Sequence, residues 1–472
     1  MIRDIVRHAG DVIAELFKKE ETWFLLLFTG LSAWLLIAFF EKIWAAVQAF
    51  LLFTWPIWLF FIIFPVFVSL WLYVRQAQFK RNIKWVILEL KIPREVRKSP
   101  QAMEQVLTAI HSLRNAPGDI KEWYWDGEVT RWYALEMVSF GGEVRFFLRV
   151  YKRQKDLVQA AFFSYYPDLE VVEADDYMDL FPKDMTETYA KQMDIWGTEM
   201  VLVNEGAYPI KTYEDFEHME EEKQFDPIST FLEVLGKLRK EETVGIQILI
   251  APASPKWRDE FEGTVNKLKK PATATIKTGG TVEEGGGTNG TKEMLIARSP
   301  GHIEVLKKME ENLSKPAFDT IIRFIYLSPK EGFSDTFPRR GIAGAFNQYA
   351  ALNLNGFRQN HKVGTRTRIW KWPHIFPKVR NEYRKQRMLL SYRTREVPPE
   401  TWMGRLATSY LFNWNFGSKR FPMNVKCLAT LFHPPTAVVL TAPHIRRVES
   451  RRTGPPAGLP IYGEEGEIER FT

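Results

Sequence analysis

The hydrophobic pattern of the chain is dominated by two apolar runs near its amino terminus. Residues 23–40 carry no charge, and residues 43–74 are uncharged as well. A helix that crosses the core of a bilayer needs about 20 apolar residues. The first run is therefore long enough for one span, and the second can hold a short turn and another span, roughly residues 50–74. The pattern predicts a transmembrane helical hairpin over residues 21–76.

The flanking residues predict how this hairpin is oriented. Residues 1–20 repeat apolar side chains at helical spacing with basic residues off that face, which predicts an amphipathic helix in the membrane interface or packed on the soluble part. Four Lys or Arg lie in residues 1–22 and six in residues 75–94, whereas the loop between the spans holds only Lys42. The positive-inside rule then places both termini in the cytoplasm, in a two-span protein of the inner membrane.

Beyond the hairpin the pattern changes to alternating strands and helices. The first domain covers residues 80–180, where Ser99 and Pro100 mark a helix start and Gly141-Gly142 marks a hairpin turn. The predicted elements are strand 84–92, helix 100–113, strands 129–140 and 144–151, helix 155–166 and strand 169–173. The order β-α-β-β-α-β predicts a ferredoxin-like α+β domain, which is a fold that hosts many unrelated functions.

Residues 190–356 predict a second, looser α/β domain, which is compatible with a second ferredoxin-like unit. Its predicted strands are 195–203, 244–251 and 319–327, and its helices are 227–240, 255–270, 299–313 and 342–354. A Gly- and Thr-rich break predicts a flexible loop over residues 272–291. The glycine run in this loop lacks the GxxxxGK[ST] pattern of a phosphate-binding loop, and the sequence has no other Walker-type motif.

Charge is distributed very unevenly, although the whole chain carries a net charge of only +7. Residues 101–338 contain 28 basic and 41 acidic residues, a net charge of −13. Residues 339–452 contain 22 basic and 4 acidic residues, a net charge of +18. Such asymmetry indicates interactions between regions or with partners. We therefore divide the rest of the chain into a basic, aromatic-rich region, 357–453, and a tail or linker, 454–472.

The basic region holds the predicted binding residues, which share a positive charge and aromatic neighbours. They are Arg366, Arg368, Lys371, Arg384, Lys385, Arg387, Arg393 and Arg395. Three interpretations stay open: contact with nucleic-acid phosphates, contact with the anionic inner leaflet, or pairing with an acidic protein surface, including the acidic middle of this chain. Because the sequence has no helix-turn-helix, zinc-finger or RNP motif, any nucleic-acid binding is predicted to be independent of base sequence.

The remaining chemistry-bearing residues do not indicate an active site. The single cysteine, Cys427, excludes an internal disulfide and cysteine-clustered metal sites. The eight histidines are scattered and form no metal-ligand spacing. We predict a protein that is not an enzyme and has no cofactor or metal, with an enzyme whose site is assembled from distant residues as the remaining alternative.

Several segments together resemble a known bacterial family. They are LELKIPREVRKSPQAMEQVLTAIHSLRNAPGD (88–119), EMVSFGGEVRFFLRV (136–150), LFHPPTAVVLTAP (431–443) and RRTGPPAGLP (451–460). They are similar to the membrane-anchored region that precedes the motor in type IV secretion and conjugative-transfer ATPase-like proteins. The sequence stops at Thr472, where such a motor would begin, and it lacks Walker motifs. The resemblance therefore implies a motorless subunit that works with a separately encoded P-loop ATPase. No catalytic residue of this sequence can be assigned from the resemblance.

Taken together, these patterns predict a membrane-anchored platform that docks or positions a motor ATPase in a secretion or DNA-transfer apparatus. The alternative is a membrane-tethered, sequence-nonspecific nucleic-acid-binding protein that uses basic region 339–452. The predicted partners are the inner membrane and a P-loop ATPase or other secretion subunits. Nucleic acid and a second copy of the chain are further partners that the sequence leaves open.

Overall fold

The computed structural model describes residues 20–93, 98–216, 225–269, 272–276, 292–296, 300–366, 374–409, 414–436 and 447–448. The chain divides into two compact units, Met1–Leu70 and Trp71–Thr472. The amphipathic helix predicted over 1–20 lies outside the described residues except for its last residue. The predicted tail, 454–472, lies outside them entirely.

The apolar segment forms one uninterrupted helix, α1 (Glu20–Asn82), of 63 residues. Its portion Trp44–Asn82 is long and apolar enough to cross a membrane. The structure thus differs from the predicted hairpin, because no turn separates the two apolar runs within α1. Glu41 and Lys42 do not break the helix, since both residue types have high helix propensity and neither Gly nor Pro lies beside them.

The first half of the large sheet is built from four strands and two helices. They are β1 (Trp85–Pro93), α2 (Pro100–Ser112), β2 (Tyr133–Phe140), β3 (Glu143–Tyr151), α3 (Lys155–Tyr165) and β4 (Glu170–Ala174). The strands lie in the order β4-β1-β3-β2, and every neighbouring pair is antiparallel. The Ser99 hydroxyl caps α2 by accepting from the Gln101 N–H at 3.1 Å. Gly141 and Gly142 adopt φ angles of 57° and 96° in the β2–β3 turn, which glycine adopts at little cost.

The second half repeats this arrangement. It contains α4 (Met185–Ala190), β5 (Met193–Leu202), α5 (Ser229–Gly236), β6 (Thr243–Pro252), α6 (Glu262–Lys269), β7 (Ala272–Ile276), β8 (Lys292–Ile296), α7 (Pro300–Ser314), β9 (Ala317–Pro329) and β10 (Phe357–Gln359). Strands β10-β5-β9-β6 are again neighbours in that order and antiparallel. The pair β7·β8 forms a separate two-stranded sheet. The flexible loop predicted over 272–291 therefore begins as a strand, because the Ala-Thr-Ala-Thr-Ile alternation has β propensity.

The two halves join edge to edge through β2 and β6, which pair antiparallel over the full length of β2. The result among the described residues is a ten-stranded sheet. In each half the first strand lies between the fourth and the third, and the second strand lies at the central junction. Strand β11 (Phe421–Asn424) adds to β9, and β12 (Arg447–Val448) pairs parallel with β1. The prediction of an α+β fold is confirmed, with an antiparallel sheet apart from the β1·β12 pair.

The carboxyl-terminal third supplies short helices that complete the packing. They are α8 (Ala343–Ala345), α9 (Pro377–Thr394), α10 (Trp402–Ser409), α11 (Trp414–Gly417) and α12 (Val425–Leu431). The helix predicted over 342–354 is instead divided into a π-helix, Phe337–Ile342, the short α8 and a 3-10 turn, Phe346–Tyr349. Gly341 and Gly344 explain this division, since glycine is a poor helix former.

Both faces of the sheet are covered. One face packs against α2, α3, α5 and α12, with side chains such as Leu135, Ile246 and Phe324 in the main core. The opposite face packs against α9, where Met388 and Tyr392 join a second cluster. The basic segment predicted as a binding surface thus provides the helix that covers this second face.

Two glycines allow α9 to approach the sheet closely. A Cβ atom on Gly245 of β6 would lie 1.9 Å from the Tyr392 hydroxyl oxygen, and one on Gly197 of β5 would lie 2.7 Å from Met388 Cγ. Real Cβ contacts are not that short, so neither position accepts a larger residue unless the side chain of Tyr392 or Met388 is displaced.

We predict that Gly245→Ala lowers the free energy of unfolding by about 1–3 kcal/mol, because the added methyl group overpacks the contact with Tyr392. Adding Tyr392→Phe removes the clashing oxygen, so the double variant should be less destabilised than the sum of the single variants. Gly263→Ala in α6 is the control, because its Cβ would meet open space. Thermal unfolding, followed by circular dichroism in detergent, is measured for wild type, the two single variants, the double variant and the control. Equal melting of wild type and Gly245→Ala would contradict the packing.

Candidate functional site

Four polar side chains lie next to one another across the middle of the sheet, beneath α9. The strand register places Glu199 opposite Arg323, Arg323 opposite Gln247, and Gln247 opposite Glu136. Each of the four is 2% exposed or less. We call them the charged row. Burying a charge costs free energy unless the charge is paired and hydrogen-bonded, so the effect of the charged row on stability depends on the partners of its residues.

Arg395, which follows the last residue of α9, closes the charged row at its β2 end. Its Nε and Nη2 donate to the carboxylate of Glu136 at 2.8 and 3.0 Å. Its Nη1 and Nη2 donate to the carboxylate of Asp176 at 2.7 and 2.9 Å. Burial opposes the charge of Arg395, but the attraction of Glu136 and these hydrogen bonds outweigh it and raise the arginine pKa. Paired arginine–carboxylate contacts of this geometry are among the stronger polar interactions in proteins.

The backbone of Arg395 has a conformation that favours glycine. Its φ angle is 52°, in the left-handed region, and it caps α9 with an N–H bond to the Tyr392 carbonyl at 3.2 Å. A non-glycine residue there costs about 1–2 kcal/mol. The four hydrogen bonds of the guanidinium offset that cost. The position therefore holds an arginine because of its side chain, not because of the turn.

Arg323 binds the carboxyl end of α9 from below. Its Nη1 donates to the Ser391 carbonyl at 2.6 Å, and its Nη2 donates to the Glu396 carbonyl at 2.9 Å and lies 3.6 Å from Glu199. A cation at this place also interacts favourably with the negative end of the helix dipole. Burial lowers the pKa of Arg323, and the charge of Glu199 opposes this shift. Burial raises the pKa of Glu199, while Arg323 and a hydrogen bond from Ser418 at 2.9 Å oppose that rise.

Gln247 links Glu136 to the carboxyl end of α9. Its Nε2 donates to Glu136 Oε1 at 2.6 Å and to the Tyr392 carbonyl at 3.2 Å. The Tyr392 hydroxyl in turn lies 3.0 Å from the Tyr177 hydroxyl. The row is thus a buried polar network that attaches α9 to strands from both halves of the sheet.

The predicted binding residues on α9 and beside it contact groups of this same chain. Lys385 Nζ lies 2.7 Å from the Asp194 carboxylate. Arg384 is buried and donates to the carbonyls of His361 at 3.3 Å and Gly364 at 3.2 Å. Burial, with the neighbouring charge of Arg380, lowers the Arg384 pKa to about 10. These contacts are of the kind expected for pairing within the chain.

The other predicted residues divide into paired, half-buried and undescribed ones. Arg393 donates to the carbonyls of Met178 and Phe181, both at 2.6 Å. Arg366 pairs with Asp335, and Arg387 is half-buried. Arg368 and Lys371 lie outside the described residues. The structure brings Arg384, Lys385, Arg387, Arg393 and Arg395 together on one helix and its end, but it directs several of them towards the protein.

Sequence reasoning did not single out the charged row itself. A signal was present, because Glu136, Gln247 and Arg323 each stand between apolar residues within a strand, as in ALEMV, IQILI and IIRFI. A charge at the centre of a buried strand predicts a buried partner. The identity of that partner depends on strand register, which the sequence does not show.

A second buried cluster holds the segment after α12. His433 Nε2 lies 2.9 Å from Asp226 Oδ1, and the N–H and hydroxyl of Thr436 both donate to Asp226 Oδ2 at 2.8 Å. Burial opposes ionisation of Asp226, but the attraction of His433 and these hydrogen bonds lower its pKa to about 2. The aspartate therefore acts as an anchor for the chain at 433–436.

A small cavity of about 80 Å³ lies between the 3-10 segment near residue 213, α7 and the start of α12. Lys426 Nζ lies 2.5 Å from both Glu214 and Glu311, and Lys308 Nζ lies 2.6 Å from Asp215. These charged groups already pair with one another. Within the part of the chain that the structure describes, no three His, Cys, Asp or Glu side chains converge as a metal site would require.

The family described as "Domain of unknown function (DUF8128)" matches residues 74–369, which is more than half of the chain. The chain belongs to this family. The DUF8128 match includes strands β1 to β10 and the whole charged row, whereas α9 and Arg395 lie beyond its end. Comparison with curated proteins gave no match.

We predict that Arg395→Met lowers the free energy of unfolding by about 3–5 kcal/mol, because it leaves the Glu136 carboxylate buried without its main partner. Combining it with Glu136→Leu removes that stranded charge, so the double variant should be more stable than the two single effects predict. Urea unfolding of the four chains gives the coupling energy. Arg358→Met, at an exposed position, is the control and should change stability by less than about 0.5 kcal/mol. Additive effects of the two core substitutions would show that the pair is not coupled.

Proposed function

We propose that this chain is a non-catalytic, membrane-anchored platform that docks or positions a motor ATPase in a type IV secretion or DNA-transfer apparatus. The observation that carries the proposal is the direct connection between the apolar helix and the sheet. Only residues 83 and 84 separate the end of α1 from the start of β1. So short a link keeps the folded unit near the end of its anchor, as a platform at a membrane requires.

The anchoring part of the proposal is a two-span hairpin in the inner membrane with both ends in the cytoplasm. In α1 the apolar side chains are exposed, for example Leu52 at 74% and Phe53 at 86%. A helix of this length measures about 95 Å, roughly three times the thickness of a bilayer core. A turn at Glu41 and Lys42 in the bilayer would let both apolar runs lie in the core, and the flanking basic residues favour the cytoplasmic side.

We further propose that the sheet consists of two ferredoxin-like units. Three features support this: the β-α-β-β-α-β order of the first half, the same strand order in the second half, and antiparallel pairing of neighbours in both. The insertion that carries α6, β7, β8 and α7 lies between the second and third strands of the second unit. A duplicated scaffold of this kind presents loops and helices to partners without requiring an active site.

A separate observation favours the alternative function, which is nucleic-acid binding by the basic region 339–452. Among the described residues of 339–452, five Lys or Arg side chains are exposed to solvent: Arg340, Arg358, Lys362, Lys378 and Lys419. Exposed cations are available to phosphates, unlike the buried arginines beneath and along α9. The two functions can therefore be separated by experiments on different residues.

The platform function predicts that a P-loop ATPase encoded in the adjacent reading frame binds vesicles that contain the full chain. We expect the purified ATPase to float with such vesicles in a density gradient and to stay at the bottom with empty vesicles. Vesicles whose exposed protein has been removed by protease, leaving the anchor, provide the matched control. If the ATPase distributes identically in all three samples, the platform proposal fails.

The nucleic-acid alternative predicts salt-sensitive binding that depends on the exposed cations. Replacing Arg358, Lys362, Lys378 and Lys419 by Gln should reduce the slope of log affinity against log salt by up to about 3.6 if all four contact phosphates of duplex DNA. The matched control replaces four exposed cations elsewhere, Lys152, Arg153, Lys240 and Lys256, which gives the same change in charge. Fluorescence anisotropy with a random-sequence duplex measures both slopes. Identical slopes for the two variants would exclude this use of the basic region.

A further inference from the structure

Exposed aromatic side chains are concentrated in the segment that connects α2 to β2. Ile120 is 75% exposed, Trp123 38%, Tyr124 37% and Trp125 61%. Trp123, Tyr124 and Trp125 belong to a one-turn π-helix, Glu122–Asp126. A contiguous apolar patch of this kind on a folded surface marks a place where a partner or a membrane binds.

This aromatic segment is held against the last part of α1. The indole Nε1 of Trp71 donates to the Tyr124 carbonyl at 2.8 Å, and Arg75 Nε donates to the Trp125 carbonyl. Gly127, with φ 66°, follows the π-helix, and a Cβ there would lie 2.4 Å from the backbone of Arg75. The backbone of the segment is therefore positioned by Trp71 and Arg75 of α1.

A second element approaches the same stretch of α1. In α10 a Cβ on Gly404 would lie 2.5 Å from Tyr73 Cδ2, so this helix packs directly on α1. Two apolar residues of α10 remain exposed, Trp402 at 58% and Leu406 at 44%. Their i, i+4 spacing places them on one face of the helix.

The stretch that both elements contact is the place where the apolar run ends. The uncharged sequence extends to Val74, and Arg75 is the first charged residue after it. A helix that spans a bilayer leaves the hydrocarbon core at such a boundary, where Trp and Tyr are enriched because their rings are apolar and their N–H and O–H groups bind water or headgroups. The exposed Lys121 beside the aromatic segment suits an anionic leaflet.

We propose that the segment Ile120–Trp125 and the Trp402/Leu406 face of α10 form an aromatic collar that inserts into the headgroup–acyl boundary of the bilayer around the exit of α1. The occupant of this surface is the lipid interface. The collar fixes the distance and tilt of the folded unit at the membrane, which α1 alone does not. The inference rests on the proposed membrane anchoring by α1.

Spin labels in the full-length chain test this directly in proteoliposomes of zwitterionic and anionic phospholipid. The only native cysteine suits the method, because Cys427 is buried and burial raises the pKa of its thiol to about 12. Labels at Trp125→Cys and Leu406→Cys report on the collar, and a label at Phe53→Cys reports on the anchor. Leu352→Cys and Leu180→Cys, at exposed positions outside the collar, are the aqueous controls.

Power saturation with oxygen and a water-soluble nickel chelate then ranks the depth of each label. We expect the ratio of oxygen to nickel accessibility at positions 125 and 406 to be several-fold above that at positions 352 and 180, and below that at position 53. Collar labels as accessible to nickel as the aqueous controls, with position 53 in lipid, overturn the collar and leave the anchor intact. Collar labels shielded from both reagents reveal a protein contact and also overturn it. A nickel-accessible label at position 53 overturns the anchor itself.

Discussion

The fold depends on the pairing of buried charges near the junction of the two half-sheets. Glu136 lies on β2, the strand of the first half that forms the junction with β6, and its main partner, Arg395, lies about 260 residues away at the end of α9. Removing either partner would leave a charge in the interior, which is far more costly than removing both. The network therefore ties the strand junction, the covering helix and the segment after it into one cooperative unit.

The same kind of internal pairing changes how the basic region is interpreted. Its net charge of +18 is conspicuous in the sequence. In the fold, however, Arg384, Arg393 and Arg395 face carbonyl or carboxylate groups of the chain itself. Arginine suits this role because its planar guanidinium serves several acceptors at once and stays charged when buried. Among the described residues of this region, the exposed cations are a different set of side chains, which includes Arg358 and Lys362.

Local chain geometry connects this folded unit to the apolar helix α1. Two residues link α1 to β1, and the aromatic segment and α10 both pack on the last turns of α1. Helix α9 packs closely on the second face of the sheet at Gly197 and Gly245, so this face is covered and a partner cannot dock directly on its strands. Docking by a partner would therefore use loops, helices or strand edges of the unit.

The sequence by itself determined the apolar segment, the α+β class and the limits of most strands, because these follow from local periodicity and turn residues such as Gly141-Gly142. It did not determine that α1 continues through Glu41 and Lys42, since two good helix formers do not specify a turn. Only the tertiary structure decided which charges are buried. Glu136 and Arg395 are distant in the chain, and their pairing depends on strand register and on the path of α9, which arise from packing over the whole sheet.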